Sequence, residues 1–277
     1  MKSASDNPVL RIQCIGSPEL PDLVLVHGWG SCSSVWQPLL GELGKIFRLH
    51  LVDLPDYPCS REEAYGLWSV ASICAAFQEQ LPEQAVWCGW SLGGMLATAY
   101  AAAHPVRVRA LVTLCSNPVF VGCRAWSCGM QLDTFDAFVQ GLNADPGKTL
   151  DRFAALVTRG SDDERLDLKH YRTLTSNCAL PQKEQLIASL ELLKQINNID
   201  ALTRIRLPVL TLFAQRDALV PAAAAEETAM LNLHLQVMLT AGASHLPCLS
   251  RPAEIMHSVI DFLRSHWPVD AQSHAES

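Results

Sequence analysis

The sequence contains no HExxH, no CxxC pair, no GxGxxG and no apolar secretory segment near its start, and each absence removes a class of function. Without paired Cys/His ligands or a glycine fingerprint, neither a metal nor a dinucleotide cofactor is implied. Charged residues make up only 18% of the chain and the formal charge is −7, which argues against bulk nucleic-acid binding. A hydrophobic share of 49% argues equally against disorder. Ten cysteines among 277 residues fall far below the ~8–10% of disulfide scaffolds, and all are read as reduced thiols. Met1 to Asn7 holds one lysine and no apolar core, so a cytoplasmic location is expected. Ala85 to Ala103 carries no formal charge, but Gly89, Ser91, Gly93, Gly94 and Thr98 interrupt it. Strand, turn and buried helix fit that stretch better than a membrane span.

What is present is an alternation. Leu23–Val26, Leu49–Leu54, Ala85–Cys88, Leu111–Cys115, Val209–Phe213 and Leu235–Leu239 are short apolar runs of the kind buried on both faces of a parallel sheet. Segments of helical length lie between them, among them Trp68–Gln80, Leu92–Ala103, Ala222–Leu231 and Pro252–Arg264. This is the βαβ rhythm of an α/β fold, with a mostly parallel sheet and helices on both faces. The rhythm breaks between Asn117 and about Asn198, where Asp133–Leu142, Thr149–Thr158, Asp163–Leu174 and Pro181–Gln195 are amphipathic and no strand is evident. Residues 118–197 are therefore expected to form a helical cap inserted before the last two strands, and residues 1–117 and 198–277 the core.

Gly89-Trp90-Ser91-Leu92-Gly93 follows one strand directly and opens a helix, the context of a nucleophile elbow. Small residues flank the serine because the turn is tight and its central residue strained. A serine needs a base to take its proton, and the acid and histidine that would complete the set should follow in that order. Asp217 lies just past the run Val209–Phe213 and His245 just past Leu235–Leu239, both at the carboxyl ends of strands, where open α/β sheets place their sites. The plainer readings are a turn-capping role for Asp217 and a solvated loop for His245. In His27-Gly28-Trp29-Gly30 a glycine-bearing loop can aim the Trp29 N–H at a developing oxyanion, paired with the Leu92 N–H; a structural turn with a core Trp is the alternative. Lys148 and Arg152, and Arg165 and Lys169, are each four apart, so each pair shares a helix face. That face is either a dock for an anionic partner or a solvated surface paired with nearby acids.

These residues resemble the α/β-hydrolase family, and within it the pimeloyl-acyl-carrier-protein methyl ester esterases of biotin synthesis. The resemblance spans about Leu23 to Leu263 and rests on LVLVHGWG at Leu23–Gly30, LHLVDLP at Leu49–Pro55, WCGWSLGG at Trp87–Gly94, RVRALVTLCSNPVF at Arg107–Phe120 and GASHLPCLSRPAE at Gly242–Glu254. Trp29, Trp90 and the segment Arg152 to Val157 are its more specific elements. The resemblance implies that Ser91, His245 and Asp217 hydrolyse the methyl ester of a pimeloyl chain on a carrier protein, without a cofactor; a monomer is expected. It further implies that Phe153, Ala154, Ala155, Leu156 and Val157 line the acyl channel, while Lys148, Arg152, Arg165 and Lys169 hold the acidic carrier. Asp56-Tyr57-Pro58 departs from the glycines that relatives carry after this proline, which bears on specificity. A broad small-ester carboxylesterase, a carbon–carbon hydrolase or lyase, and a hydrolase-fold binding protein are the competing readings.

Overall fold

The computed structural model describes residues 7–55, 67–176, 178 and 181–266; Asp56, Tyr57 and Pro58 lie outside the described residues. Strands β1 (Arg11–Ile15), β2 (Asp22–Val26), β3 (Arg48–Asp53), β4 (Ala85–Trp90), β5 (Val108–Leu114), β6 (Val209–Ala214) and β7 (Leu235–Thr240) build one seven-stranded sheet in the order β1-β3-β2-β4-β5-β6-β7. All neighbours are parallel except β1, which runs antiparallel to β3. The central strand β4 is buried at every residue, as an apolar strand covered on both faces must be.

Every apolar run expected to be a strand is one. The additional strand, β1, reads Arg-Ile-Gln-Cys-Ile with mostly exposed side chains. An edge strand has one neighbour and needs no continuous apolar run, so periodicity gives it little signal.

The described helices are α1 (Gln37–Leu43), α2 (Val70–Gln80), α3 (Leu92–Ala103), α4 (Leu132–Ala144), α5 (Pro146–Thr158), α6 (Glu164–Thr175), α7 (Lys183–Gln195), α8 (Ile199–Arg204), α9 (Ala223–Leu231), α10 (Pro247–Ser250) and α11 (Pro252–His266). Their starts follow side-chain chemistry: Ser69, Asp145 and Asp163 each accept a first-turn backbone N–H, and Pro146 occupies the first position of α5. Helices α2, α3, α8 and α9 pack side by side on the sheet, while α1, α10 and α11 form a second group. Helix α3 is buried along nearly its whole length against β4 and β5.

Helices α4 to α7 fall between β5 and β6, with α4 packed on α5 and α7, and α5 on α6. This group is tied to the sheet at several points. Ser34 Oγ donates to Leu174 O at 2.6 Å, Trp29 Nε1 to Leu186 O at 3.1 Å, and the Trp68 indole to the Gln185 side chain.

One tie is covalent and corrects the expectation that all cysteines are reduced: Cys32 and Cys178 form a disulfide across 146 residues. Neither partner sits in a spacing motif, so only the fold, which brings their Cα atoms to 6.5 Å, reveals the pair. Peptide mapping without reductant is expected to recover Cys32 and Cys178 cross-linked. Cys32→Ser should lower unfolding stability in urea by about 2–4 kcal/mol, because the bridge closes a long loop. An unchanged melt would contradict a bridge in the folded protein.

Candidate active site

Gly89 to Gly93 turns the chain from β4 into α3 so sharply that a Cβ on Gly89 would lie 2.5 Å from the Gly93 and Gly94 backbone. A Cβ on Gly93 would strike the carbonyl oxygens of Val26 and His27. Side chains are excluded at both positions, and Ser91 between them takes φ 54° and ψ −120°, outside the ordinary L-residue regions. Three bonds hold it there. Ser91 N donates to Leu114 O at 2.9 Å, and Ser91 O accepts from Met95 N at 3.1 Å and Ser116 Oγ at 2.9 Å.

The turn raises Ser91 Oγ to 3.0 Å from His245 Nε2, and His245 Nδ1 lies 2.7 Å from Asp217 Oδ2. Asp217 Oδ1 accepts from the backbone N–H groups of Leu219 and Val220 at 2.7 and 2.9 Å. With that oxygen engaged, the other faces the imidazole as an acceptor, which places the ring proton on Nδ1 and leaves Nε2 to take one from Ser91. The His245 side chain is fully buried and that of Asp217 almost so, which strengthens the pairing. Trp90 Nε1 donates to His245 O at 2.7 Å, so the residue beside the nucleophile also positions the loop of the base.

Leu92 is the first residue of α3, where a helix offers N–H groups without an intrahelical acceptor. Neither its N–H nor that of Trp29 makes a backbone hydrogen bond among the described residues. The Trp29 loop is fixed by His27: its Nε2 accepts from Leu54 N at 3.0 Å, so its Nδ1 carries the proton and donates to Gly28 O at 2.8 Å. Asp53 Oδ1 receives Ser33 N at 2.6 Å on the same loop. The sequence reading gave neither His27 nor Asp53 a role, since the contacts that tie this loop together, from Leu54 N to His27 and from Ser33 N to Asp53, join residues 27 and 20 positions apart.

Above Ser91 lies an apolar pocket lined by Trp29, Phe120, Phe135, Phe138, Phe153 and Leu190, with Met130, Leu193 and Leu219 completing it. The Trp29 ring stands edge-on to Phe153 and Phe138, with centroids 5.0 and 5.4 Å apart. Of the strip expected to line an acyl channel, Phe153 is the residue that lines this pocket. Ala154 and Val157 are buried without lining it, Ala154 facing a separate groove with Gly30 and Ser31, while Leu156 is half-buried and Ala155 is exposed. A helix turns successive residues by about 100°, so five in a row cannot face one pocket. Instead, Phe135 and Phe138, three apart on α4, supply the facing wall, a pair the sequence reading saw only as part of an amphipathic segment.

Lys148, Arg152, Arg165 and Lys169 are all exposed. Arg165 and Lys169 share a surface groove with Arg172, which the sequence reading did not single out. Arg172 reaches Asp151 on α5 at 3.2 Å, and Lys148 reaches Asp145 at 3.2 Å.

Among the described residues, the one group of Cys, His and acidic side chains close enough to share an ion is Cys115, Asp217 and His245. Its imidazole and carboxylate are already bonded to each other. Burial, reinforced by the Asp217 charge, pushes the Cys115 thiol well above its ordinary range, so it stays protonated beside the relay.

A family model described as the alpha/beta hydrolase fold matches residues 21–252. A pimeloyl-[acyl-carrier protein] methyl ester esterase from Salmonella enteritidis is 37% identical over 238 residues, covering 86% of this chain and 92% of the relative. A bromoperoxidase from Bacillus anthracis superposes with a TM-score of 0.81 at 18% identity over 92% of this chain and 95% of the other. An esterase from Exiguobacterium antarcticum does so with 0.78 at 20% identity over 92% and 95%. At such identity these two structures speak for the fold.

One further contact joins the turn between α5 and α6 to the loops that carry Asp217 and His245. Asp162, between α5 and α6, receives Arg216 Nη1 at 3.0 Å and Arg251 Nη2 at 2.5 Å. Arg216 directly precedes Asp217, and Arg251 follows the His245 loop. The hydrogen bond from Arg251, then its charge, holds the Asp162 carboxyl below its ordinary value. A depressed carboxyl stabilises the fold above the unfolded value of ~3.9 and loses that contribution as pH falls through the folded one. Asp162→Asn is therefore expected to be less stable than wild type in urea melts near neutral pH, with the difference closing as pH falls below the ordinary carboxylate range. A pH-independent difference would remove the ion pairs as its cause.

Proposed function

This chain belongs to the α/β-hydrolase family, and on that premise we propose that it hydrolyses the methyl ester of pimeloyl-acyl-carrier protein, releasing methanol and the free carrier-bound acid. The observation that carries the reading is the relay of Ser91, His245 and Asp217 at the floor of a pocket whose described lining is otherwise apolar. Such a pocket accepts a methylene chain ending in a neutral ester. It disfavours the carboxylate formed by hydrolysis, because an ion without a partner is costly to bury, so the product leaves. The 37% identity to the Salmonella esterase supports the same substrate.

In this mechanism His245 takes the Ser91 proton as Oγ attacks the ester carbonyl, and Asp217 stabilises the imidazolium. The N–H groups of Trp29 and Leu92 receive the oxyanion of the tetrahedral intermediate. Collapse expels methanol, protonated by His245. The same histidine then activates water, which hydrolyses the acyl-enzyme through a second tetrahedral intermediate. Residues 118–197 act as the helical cap over the core of residues 1–117 and 198–277. Phe153 and the α4 aromatics contact the acyl chain, and Lys148, Arg152, Arg165 and Lys169, joined by Arg172, face the acidic carrier. The enzyme works in the cytoplasm as a monomer.

The deciding experiment compares hydrolysis of pimeloyl-carrier-protein methyl ester with that of a short nitrophenyl ester. Ser91→Ala should lower kcat on both by up to ~10⁶-fold, the loss known for triads that act as a unit. Retained turnover would remove Ser91 from the nucleophile role, and cleavage of the short ester alone would leave the relay but not the substrate. Ionic strength tests the basic face: kcat/KM should fall with added salt for the carrier substrate and stay level for the neutral ester. Equal salt responses would exclude docking through these cations.

A further inference from the structure

The sheet carries a second arrangement of nucleophile, base and acid, away from the pocket. Cys14 on β1 and His50 on β3 are directly opposite in register, and Asp22 on β2 is diagonal to His50, which pairs with Val24. Cross-strand partners share a face, so all three side chains project from the same side of neighbouring strands. Cys14 Sγ lies 3.4 Å from His50 Nδ1, and His50 Nε2 lies 2.6 Å from Asp22 Oδ1. The histidine side chain is 7% exposed, the aspartate is partly covered, and Cys14 is an exposed residue.

We propose that Cys14, His50 and Asp22 form a base-activated thiol that exchanges with low-molecular-weight disulfides, making Cys14 a site of reversible S-thiolation. The tautomer logic is that of the ester-cleaving relay with the two ring nitrogens exchanged. An ionised aspartate only accepts, so the short contact to Asp22 puts the imidazole proton on Nε2 and leaves the Nδ1 lone pair facing the thiol. Burial of the ring keeps water from competing for that lone pair, and Asp22 stabilises the imidazolium once the proton has moved. The other charged side chains on these strands are Arg48, on the same face two residues before His50, and Arg11 and Asp53, which pair in register on the opposite face. A positive charge at Arg48 also favours the thiolate.

In the exchange, Cys14 gives its proton to His50 and its sulfur attacks one sulfur of the disulfide. A new S–S bond forms to Cys14, the old S–S bond breaks, and the departing thiolate leaves with the proton from His50. One disulfide is consumed and one is formed, with no net oxidant. This reading is independent of the ester-hydrolysing function, since none of its three residues belongs to that site.

The protein supplies its own control. Cys123 is also exposed, and its described hydrogen bonds are backbone contacts to Trp126. A base within reach of the thiol that takes its proton as the sulfur attacks is expected to raise the rate at Cys14 about 5- to 10-fold over a thiol without one. The experiment labels the folded full-length protein with iodoacetamide at pH ~7 and follows both cysteines by peptide mass mapping. It expects Cys14 to react about 5- to 10-fold faster than Cys123 in wild type, with the ratio falling toward one in Asp22→Asn and His50→Gln and toward one at pH ~9.5. Oxidised glutathione at neutral pH should place a glutathione adduct on the Cys14 peptide in preference to the Cys123 peptide. Should either variant misfold, the wild-type ratio and its pH dependence still decide. Equal rates for Cys14 and Cys123 at pH ~7, or a ratio unmoved in a folded variant, would overturn the proposal.

Discussion

The backbone turn at Ser91, held where an L-residue is disfavoured by roughly 1–3 kcal/mol, is the constraint from which the rest of the molecule is organised. It persists because the surroundings leave no other path. Gly89 and Gly93 let the turn press against the ends of β2 and β4, and the Ser91 backbone is bonded on both sides, to Leu114 and to Ser116 and Met95. A strand that enters such a turn must be buried on both faces and a helix that leaves it must start beside the sheet. That is why β4 is central and α3 is the most deeply packed helix.

Around that turn, the functional groups come from loops that would be mobile alone and are each fixed by a contact from elsewhere. His27 ties the Trp29 loop to Leu54, and two backbone N–H groups fix the carboxylate of Asp217. The helical cap is part of the same bracing. Trp29 belongs to the core loop, yet its ring forms a wall of the pocket and its indole nitrogen is bonded to α7. A displacement of α7 or α4 is thus felt at the Trp29 loop as well as at the pocket wall.

What could be read from the chain in advance divides along physical lines. Buried parallel strands need continuous apolar runs, so β2 to β6 were visible; β7, a largely exposed edge strand, was visible because it keeps an apolar run, whereas β1 does not. Ser91, Asp217 and His245 were legible because each sits in a short segment with its own strand–loop signature, although their separation in sequence said nothing of the distances between them. The pocket was less legible. Phe153 was expected, but Phe135, Phe138 and Leu190 come from other helices and are chosen by how those helices rotate, which one-dimensional spacing does not encode. The expectation that Ala155 lines a channel failed because it treated a helix as a strip. The disulfide between Cys32 and Cys178 was hidden for a related reason, since only the placement of the cap against the core makes those two thiols neighbours.

The hydrogen bond from the Trp90 indole to the His245 carbonyl has a consequence for how thermal motion reaches the reacting atoms. Trp90 is adjacent in the chain to Ser91, so the bond couples Ser91 and His245, which face each other through Oγ and Nε2, through the backbone of each. The Oγ to Nε2 distance of 3.0 Å is thereby braced by a contact that involves neither atom, and a change of either loop that breaks the indole bond also releases the geometry of the pair.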